Sequence, residues 1–168
     1  MGRERGGRRP VQKKDEFSEI VLDVRRVTRV TAGGKRFRFR VTVIIGDERG
    51  RVGVGIAKGL DVQQAIGKAR AQATKSVITV PLIGRTIVHE VEAKFSAAHV
   101  RLKPAKPGHG LIAGGASRAV LSLAGVKDIT AKALGRTPNK LTNALATLEA
   151  LRRLQREKPK PVAPAITP

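Results

Sequence analysis

The glycine-rich stretch GHGLIAGGASR has the residue types and the spacing of a nucleotide site. Gly108, Gly110 and Ala113 fit the G-x-G-x-x-G/A fingerprint of dinucleotide-binding folds, and Asp128 follows at the distance of the acid that binds a ribose hydroxyl. Gly110 and Gly115 also have the spacing of a phosphate-binding P-loop. The first chemistry to consider is therefore the binding of a nucleotide such as ATP or NAD.

Both nucleotide motifs lack something that the chemistry needs. Ala116 stands where a P-loop has the lysine that reaches the β- and γ-phosphates. Pro104 and Pro107 precede the first glycine, where a dinucleotide fold needs a strand that runs directly into the turn. A tight turn before a helix is favoured, although the amides at such a helix start can bind an anion. A nucleotide-dependent enzyme acting on RNA through residues 108–117 is the alternative from another class.

Histidines are the next residues that could do chemistry, and His89, His99 and His109 are spaced at ten-residue intervals. The sequence HEVEA at His89 lacks the second histidine of a helical zinc-protease motif and lies in a strand-like pattern. The chain has no cysteine, which excludes disulfides, thiol catalysis and zinc-finger modules. No Ser/His/Asp set or carboxylate pair stands out. We therefore expect no catalytic residue, no metal and no cofactor.

The charge balance points to a polyanionic partner. The 168 residues include 34 Lys and Arg against 13 Asp and Glu, which gives a formal net charge of +21. An anionic membrane is disfavoured because no apolar run approaches the roughly 20 residues needed to span, and we expect a cytoplasmic protein without a signal peptide. Tyr and Trp are absent and Phe occurs four times, so base stacking on aromatic platforms is disfavoured. The sugar-phosphate backbone of folded nucleic acid is the expected target.

Three strands followed by a helix are predicted in the first half. A strand-like run at residues 20–24 leads to a turn at Gly33 and Gly34. Residues 37–45 alternate apolar and polar, which predicts a strand with an apolar face and an opposite face that carries Arg36, Arg38 and Arg40. A hairpin turn at residues 46–50 leads to a third strand, whose Gly53 and Gly55 indicate close packing, and an apolar helical stripe follows at residues 61–77.

The second half is predicted to form a separate lobe, with the boundary near residues 80–86. Strand-like runs at 86–95 and 98–102 precede the glycine-rich turn, and a helix extends from about Gly114 to a left-handed cap at Gly125. Residues 128–134 fit a strand or a short helix. Asn139 is the predicted N-cap of the last helix. Residues 1–14 are expected to be a disordered basic arm and residues 157–168 a Pro-rich tail.

The arginine row at positions 36, 38 and 40 is the strongest candidate for phosphate contact. A solvated strand face would be the usual explanation, but it does not account for charges that nearly all share one sign. The GXXG match at residues 50–53 lies in a hairpin and not between the helices of a KH domain, and KRFRF lacks the glycines of an RRM.

Two blocks, RVTAGGKRFRFRVTVIIGDERGRVGVGIAKG and LKPAKPGHGLIAGGASRAVLSLAGVKDI, closely resemble the bacterial small-subunit ribosomal protein S5 family. The similarity extends from about Glu19 to Leu154. It implies an α+β protein of two lobes: a β-β-β-α lobe like a double-stranded-RNA-binding domain at residues 15–80, and an α/β lobe of the S5 domain 2-like type at residues 86–156. His109 departs from the threonine that is usual in the family.

The resemblance implies a structural constituent of the small subunit with no catalytic activity, and it extends the set of candidate sites. The expected partners are small-subunit rRNA at the junction of body and head, ribosomal proteins S4 and S8, and messenger RNA near its entry channel, with effects on subunit assembly and translational accuracy. Neither a membrane span nor a homo-oligomer is expected, and a free-standing double-stranded-RNA binder is a further alternative. The candidate rRNA-binding residues are Arg25, Arg26, Arg29, Gly33, Gly34, Lys35, Arg36, Arg38, Arg40, Lys58, Lys68 and Lys75. The candidate protein-interface residues are Gly108, His109, Gly110, Gly114, Gly115 and Arg118.

Overall fold

The first half of the chain forms an antiparallel sheet covered by a helix. The computed structural model describes residues 17–156. The sheet has the order β1-β2-β3-β4, and α1 packs on one of its faces. The bounds are β1 (Ser18–Thr31), β2 (Gly34–Gly46), β3 (Arg51–Gly59), α1 (Val62–Lys75) and β4 (Ile78–Thr79). The predicted β-β-β-α order is confirmed, with β4 as an addition.

Helix α1 lies unusually close to β3 because both surfaces are made of small residues. Its buried stripe is Ala65, Ala69 and Ala73. A Cβ added at Gly55 would overlap the carbonyl oxygen of Ala69, so the helix and strand backbones approach only where a side chain is missing. The carboxylate of Asp61 accepts a hydrogen bond from the backbone N–H of Gln63 and caps the helix. The close packing predicted from the glycines of β3 is therefore present.

The second half forms a sheet of order β7-β8-β10-β9 with two helices against its buried face. A two-stranded hairpin, β5 (Leu82–Ile83) and β6 (Thr86–Ile87), precedes this sheet. The remaining elements are β7 (Val91–Phe95), β8 (Ala98–Pro104), β9 (Leu111–Ile112), α2 (Gly115–Leu123), β10 (Ile129–Ala133) and α3 (Lys140–Arg156). The strand predicted at 86–95 is interrupted, because the chain bends at residues 88–89 between β6 and β7. Residues 129–133, ambiguous from sequence, form a strand.

The two halves share one hydrophobic core. Ile44 and Val52 of the first sheet belong to the same buried cluster as Leu121 of α2 and Leu151 of α3. Ile44 has the same phase as the arginines of β2, yet it is fully buried because the second half covers that end of the sheet. The polar face that carries the arginine row therefore ends before Gly46, and β2 is buried on both faces there.

Backbone hydrogen bonds join the β2–β3 turn to the end of α2. The N–H of Glu48 donates to the carbonyl of Leu123, and the N–H of Gly50 donates to the carbonyl of Ala124, both at 3.0 Å. Gly125 has a φ of +83°, as its predicted role as a left-handed cap requires. A Cβ added to this glycine would overlap the carbonyl of Glu48, so the turn and the helix end are in direct contact.

Asp47 holds this turn in shape. Burial disfavours its charged form, but hydrogen bonds from the Arg51 side chain and from the amides of Arg51 and Arg49 outweigh burial and keep the pKa of Asp47 below its ordinary value.

The predicted basic arm and Pro-rich tail lie outside the described residues. Within residues 17–156, no helix combines the length and apolar character that a membrane crossing needs.

Candidate nucleic-acid interface

Six cations lie on one face of the first sheet, away from α1. The pairing register places Arg25 opposite Arg40 and Arg29 opposite Arg36 in the β1–β2 hairpin. Arg40 also lies opposite Lys58 of β3. Directly opposed residues of antiparallel strands project to the same face, and Arg38 shares the phase of its neighbours in β2. We call this set, consisting of Arg25, Arg29, Arg36, Arg38, Arg40 and Lys58, the cationic face.

Little negative charge offsets the cationic face. Asp23 accepts a hydrogen bond from the Nε of Arg25 at 2.6 Å, and its other oxygen lies 3.9 Å from the Nζ of Lys140. Across residues 17–156, no carboxylate lies within ion-pair distance of the other five cations. Like charges that directly oppose each other in a sheet destabilise it, so this face carries an electrostatic cost in the isolated protein.

A groove of about 670 Å³ runs along the hairpin. Four members of the cationic face line it, together with the residues Phe37 and Leu60, which are 47% and 70% exposed. The four cations are Arg29, Arg36, Arg38 and Lys58. The groove therefore combines positive charge with accessible apolar surface, a pairing suited to a ligand with both phosphates and flat rings.

The remaining candidate rRNA residues lie on other surfaces. Arg26 pairs with Phe39, and Lys35 pairs with Val30, so both cations lie on the opposite side of the hairpin from the cationic face. Lys68 and Lys75 are exposed on α1. Gly33 and Gly34 lie at the hairpin tip, where no other group lies within 4 Å of the position of a Cβ. The structure thus brings together half of the twelve candidates and distributes the others over the helix, the tip and the opposite face.

Phe37 is a candidate that sequence reasoning missed. The guanidinium carbon of Arg26 lies 4.6 Å from the centroid of its ring, which is a cation–π contact. The scarcity of aromatic residues in the chain argued against stacking, and alternation predicted that Phe37 would face the core. The relative lengths of β2 and α1 could have indicated this. A helix rises less per residue than a strand, so α1 is too short to cover the part of β2 near the hairpin tip.

The glycine-rich loop is occupied by a carboxylate of the chain itself. Asp128 accepts hydrogen bonds from the backbone N–H groups of Gly108 at 3.1 Å and Gly110 at 2.9 Å, and its other oxygen lies 2.9 Å from the Nε of Arg85. The bond from Gly110 contributes most to holding the pKa of Asp128 below its ordinary value; burial opposes it, and Arg85 and Gly108 add to it. These two amides are therefore not available to a phosphate, which removes the observation behind the nucleotide alternative.

The other residues of the loop surround the start of α2. The Nε2 of His109 lies 3.2 Å from the Oγ1 of Thr130. Arg118 donates from Nη2 to the carbonyl of Leu111 at 2.9 Å. Gly114 is the N-cap of α2 and Gly115 its first residue, and no side chain caps this helix end. All six candidate interface residues lie in this one region, and all but half-buried Gly110 are exposed.

The second sheet shows mixed charge on its open face. Glu92 pairs with Arg101 and also lies 3.2 Å from the Nε2 of His99. In the part of the chain that the structure describes, no three His, Cys, Asp or Glu side chains converge in a way that could hold a metal ion. Carboxylates therefore pair with Arg101 and His99 at the centre of this face, unlike on most of the cationic face.

Comparisons with known proteins cover most of the chain. A family model described as the N-terminal domain of ribosomal protein S5 matches residues 17–81, and one described as the C-terminal domain matches residues 93–163. A protein named small ribosomal subunit protein uS5 from Thermotoga neapolitana is 51% identical over 140 residues, which cover 83% of this chain and 78% of the relative. The protein of the same name from Thermotoga maritima is 48% identical with the same coverage.

Proposed function

The chain belongs to the ribosomal protein S5 family, and from that premise we propose that its cationic face binds small-subunit rRNA at the junction of body and head. The family is structural and non-enzymatic, so the chain is a ribosomal protein of the small subunit that serves translation in the cytoplasmic ribosome. The position of the rRNA contact and the contacts with individual ribosomal proteins are what we propose.

Three pairs of like charges carry this proposal. Arg29 faces Arg36, and Arg40 lies between Arg25 and Lys58 in the middle of three strands. Such pairs weaken a sheet in the absence of a partner, whereas a polyanion that lies across them converts repulsion into attraction. A solvated face without a partner has no reason to concentrate like charges in this way.

Phosphate neutralisation supplies the physical mechanism. Each cation that meets a phosphate releases condensed counterions, so affinity depends steeply on salt. If the six cations of this face each meet one phosphate, the logarithm of affinity should fall with the logarithm of salt concentration at a slope of about −4 to −5. The exposed glycines at the hairpin tip add no bulk, which lets the RNA backbone approach closely.

A charge-removal experiment tests the proposal. The purified protein is titrated with a small-subunit rRNA fragment at several salt concentrations, and the variant Arg36→Gln/Arg38→Gln is compared with the control Lys94→Gln/Lys132→Gln. The control removes the same charge from the open face of the second sheet. We expect the first variant to weaken binding and to make the slope less steep by about 1.5, and the control to leave the slope nearly unchanged. Equal effects of both variants would mean that only net charge matters, and would overturn the site.

We further propose that the glycine-rich loop contacts ribosomal protein S4. Support comes from the exposed loop at Gly108 and His109, from the half-exposed Ile112, and from the way Asp128 braces the loop from within. Contacts with S8, a place near the messenger entry channel, and roles in assembly and accuracy extend this proposal, on the basis of the family resemblance. Arg118→Ala should weaken co-assembly with purified S4, whereas Lys132→Ala should not, and equal retention of S4 by both variants would count against the loop.

A further inference from the structure

We propose that Arg26 and Phe37 form a stacking platform for one unpaired base of the rRNA. The proposal rests on the proposed function, because it concerns the same hairpin, and it goes further by assigning base recognition to a face separate from the cations. Phe37 and Arg26 are diagonal neighbours across the two strands, since Phe37 pairs with Thr28 and Arg26 pairs with Phe39.

The ring of Phe37 is held in place yet remains accessible. The guanidinium carbon of Arg26 lies 4.6 Å from its centroid, and Phe37 is still 47% exposed with that contact made. An exposed aromatic ring backed by a guanidinium is a rigid surface of low entropic cost, and a base stacks on either component.

Charge complementarity decides between possible occupants. Lys35 is exposed in the same phase of β2 as Phe37, and Arg26 backs the ring, so an occupant of the platform meets two positive charges. An apolar segment of another protein gains nothing from those charges. A nucleotide satisfies both requirements, because its base covers the ring while its phosphate pairs with a cation of the same face.

Tryptophan fluorescence gives a direct test, because the chain contains neither Trp nor Tyr. Phe37→Trp places a single fluorophore on the platform, and Phe95→Trp is the matched control, since Phe95 is 41% exposed at the end of β7 in the second sheet. Both proteins are titrated with a small-subunit rRNA fragment that contains unpaired nucleotides, and with a fully paired RNA duplex. We expect severalfold quenching for Phe37→Trp with the first RNA only, and no quenching for Phe95→Trp.

A second variant separates stacking from folding and from phosphate contact. Phe37→Leu keeps an apolar side chain but has no aromatic face, so we expect about tenfold weaker rRNA binding with an unchanged salt slope. If rRNA binds with its normal salt dependence while Phe37→Trp is not quenched and Phe37→Leu binds like the parent, the platform is wrong and the cationic face stands. If none of the variants or the parent binds rRNA, the proposed function itself fails.

Discussion

The carboxylate of Asp128 accepts a hydrogen bond from the backbone N–H of Gly110, which lies 18 residues earlier in the chain. The same oxygen accepts from Gly108, so the acid that mimics a ribose ligand in the sequence is an internal ligand of the loop. The amides that could bind an external anion therefore bind the Asp128 carboxylate of the protein itself. The turn consequently positions the start of α2 instead of holding a nucleotide.

Asp128→Asn should loosen this loop. An amide oxygen accepts more weakly than a carboxylate and does not pair with Arg85, so the buried network loses its charge-assisted bonds. We expect a lower unfolding temperature and faster hydrogen exchange at the amides of Gly108 and Gly110. Asp61→Asn is the control, because Asn and Asp cap helices about equally well, and its unfolding temperature should stay close to that of the parent. Unchanged exchange at both glycines would show that the carboxylate does not hold the loop.

Stability should fall in acid below the ordinary carboxyl pKa of 3.8. Burial raises the pKa of Asp47, but hydrogen bonds from Arg51 and Arg49 outweigh burial and bring the pKa below its ordinary value. The hydrogen bond from Gly110 is the largest cause of the lowered pKa of Asp128. A carboxyl with a depressed folded-state pKa stabilises the native state above its unfolded pKa, and that contribution is lost as the pH falls through the folded value. Urea midpoints between pH 6 and pH 2 should therefore be flat and then decline. Asp47→Asn should decline less, and an acid profile identical to that of the parent would contradict this assignment.

Much of the fold could be predicted from local patterns. The alternation around Phe37 predicted β2, the change of period after Asp61 predicted α1, and Asn139 caps α3 through a hydrogen bond to the N–H of Leu141. These signals are local, because they depend on residues that are only a few positions apart in the sequence. The short strands β4, β5, β6 and β9 have two residues each, and such strands show no period that could be recognised.

The parts that could not be predicted depend on distant contacts. Ile44 is buried because the second half of the chain covers it; the apolar run at residues 43–45 indicates burial on both faces but does not show which elements cover the second face. The opposition of Arg29 and Arg36 depends on the register set at the hairpin tip, and a shift of one residue would exchange the two faces. The sequence therefore predicted the arginine row of β2, whereas its partners in β1 and β3 required the structure.

Gly125→Ala should destabilise the contact between the two halves. The residue has a φ of +83°, which costs roughly 1–2 kcal/mol for alanine, and its Cβ would overlap the carbonyl of Glu48. Together with the strain of overpacking, we expect a loss of about 2–4 kcal/mol in the free energy of unfolding.

Gly67→Ala is the matched control for that substitution. Gly67 is an exposed residue of α1 with open space around the position of a Cβ, so alanine should stabilise the helix by about 1 kcal/mol. Urea unfolding of both variants measures the two changes. Similar losses at both positions would show that the contact between the β2–β3 turn and α2 contributes little.

Arg40→Gln should stabilise the isolated protein while it weakens rRNA binding. Arg40 lies between Arg25 and Lys58, and glutamine keeps much of the side-chain stem but removes two opposed pairs of like charge. We expect a gain of about 0.2–1 kcal/mol in the free energy of unfolding at low salt. The gain should vanish near 1 M salt, where the screening length falls to about 3 Å.

Arg101→Gln shows whether that gain comes from repulsion. Arg101 also occupies a middle strand, but it lies between Lys132 and Glu92, and it is ion-paired to the glutamate. Its replacement should therefore lower stability slightly or leave it unchanged at low salt. If Arg40→Gln fails to stabilise the protein at any salt concentration, the cationic face carries no repulsion for rRNA to relieve. If rRNA binding relieves this repulsion, the loss of stability in the isolated protein is tolerable, since selection acts against a loss of stability only below the threshold that function needs.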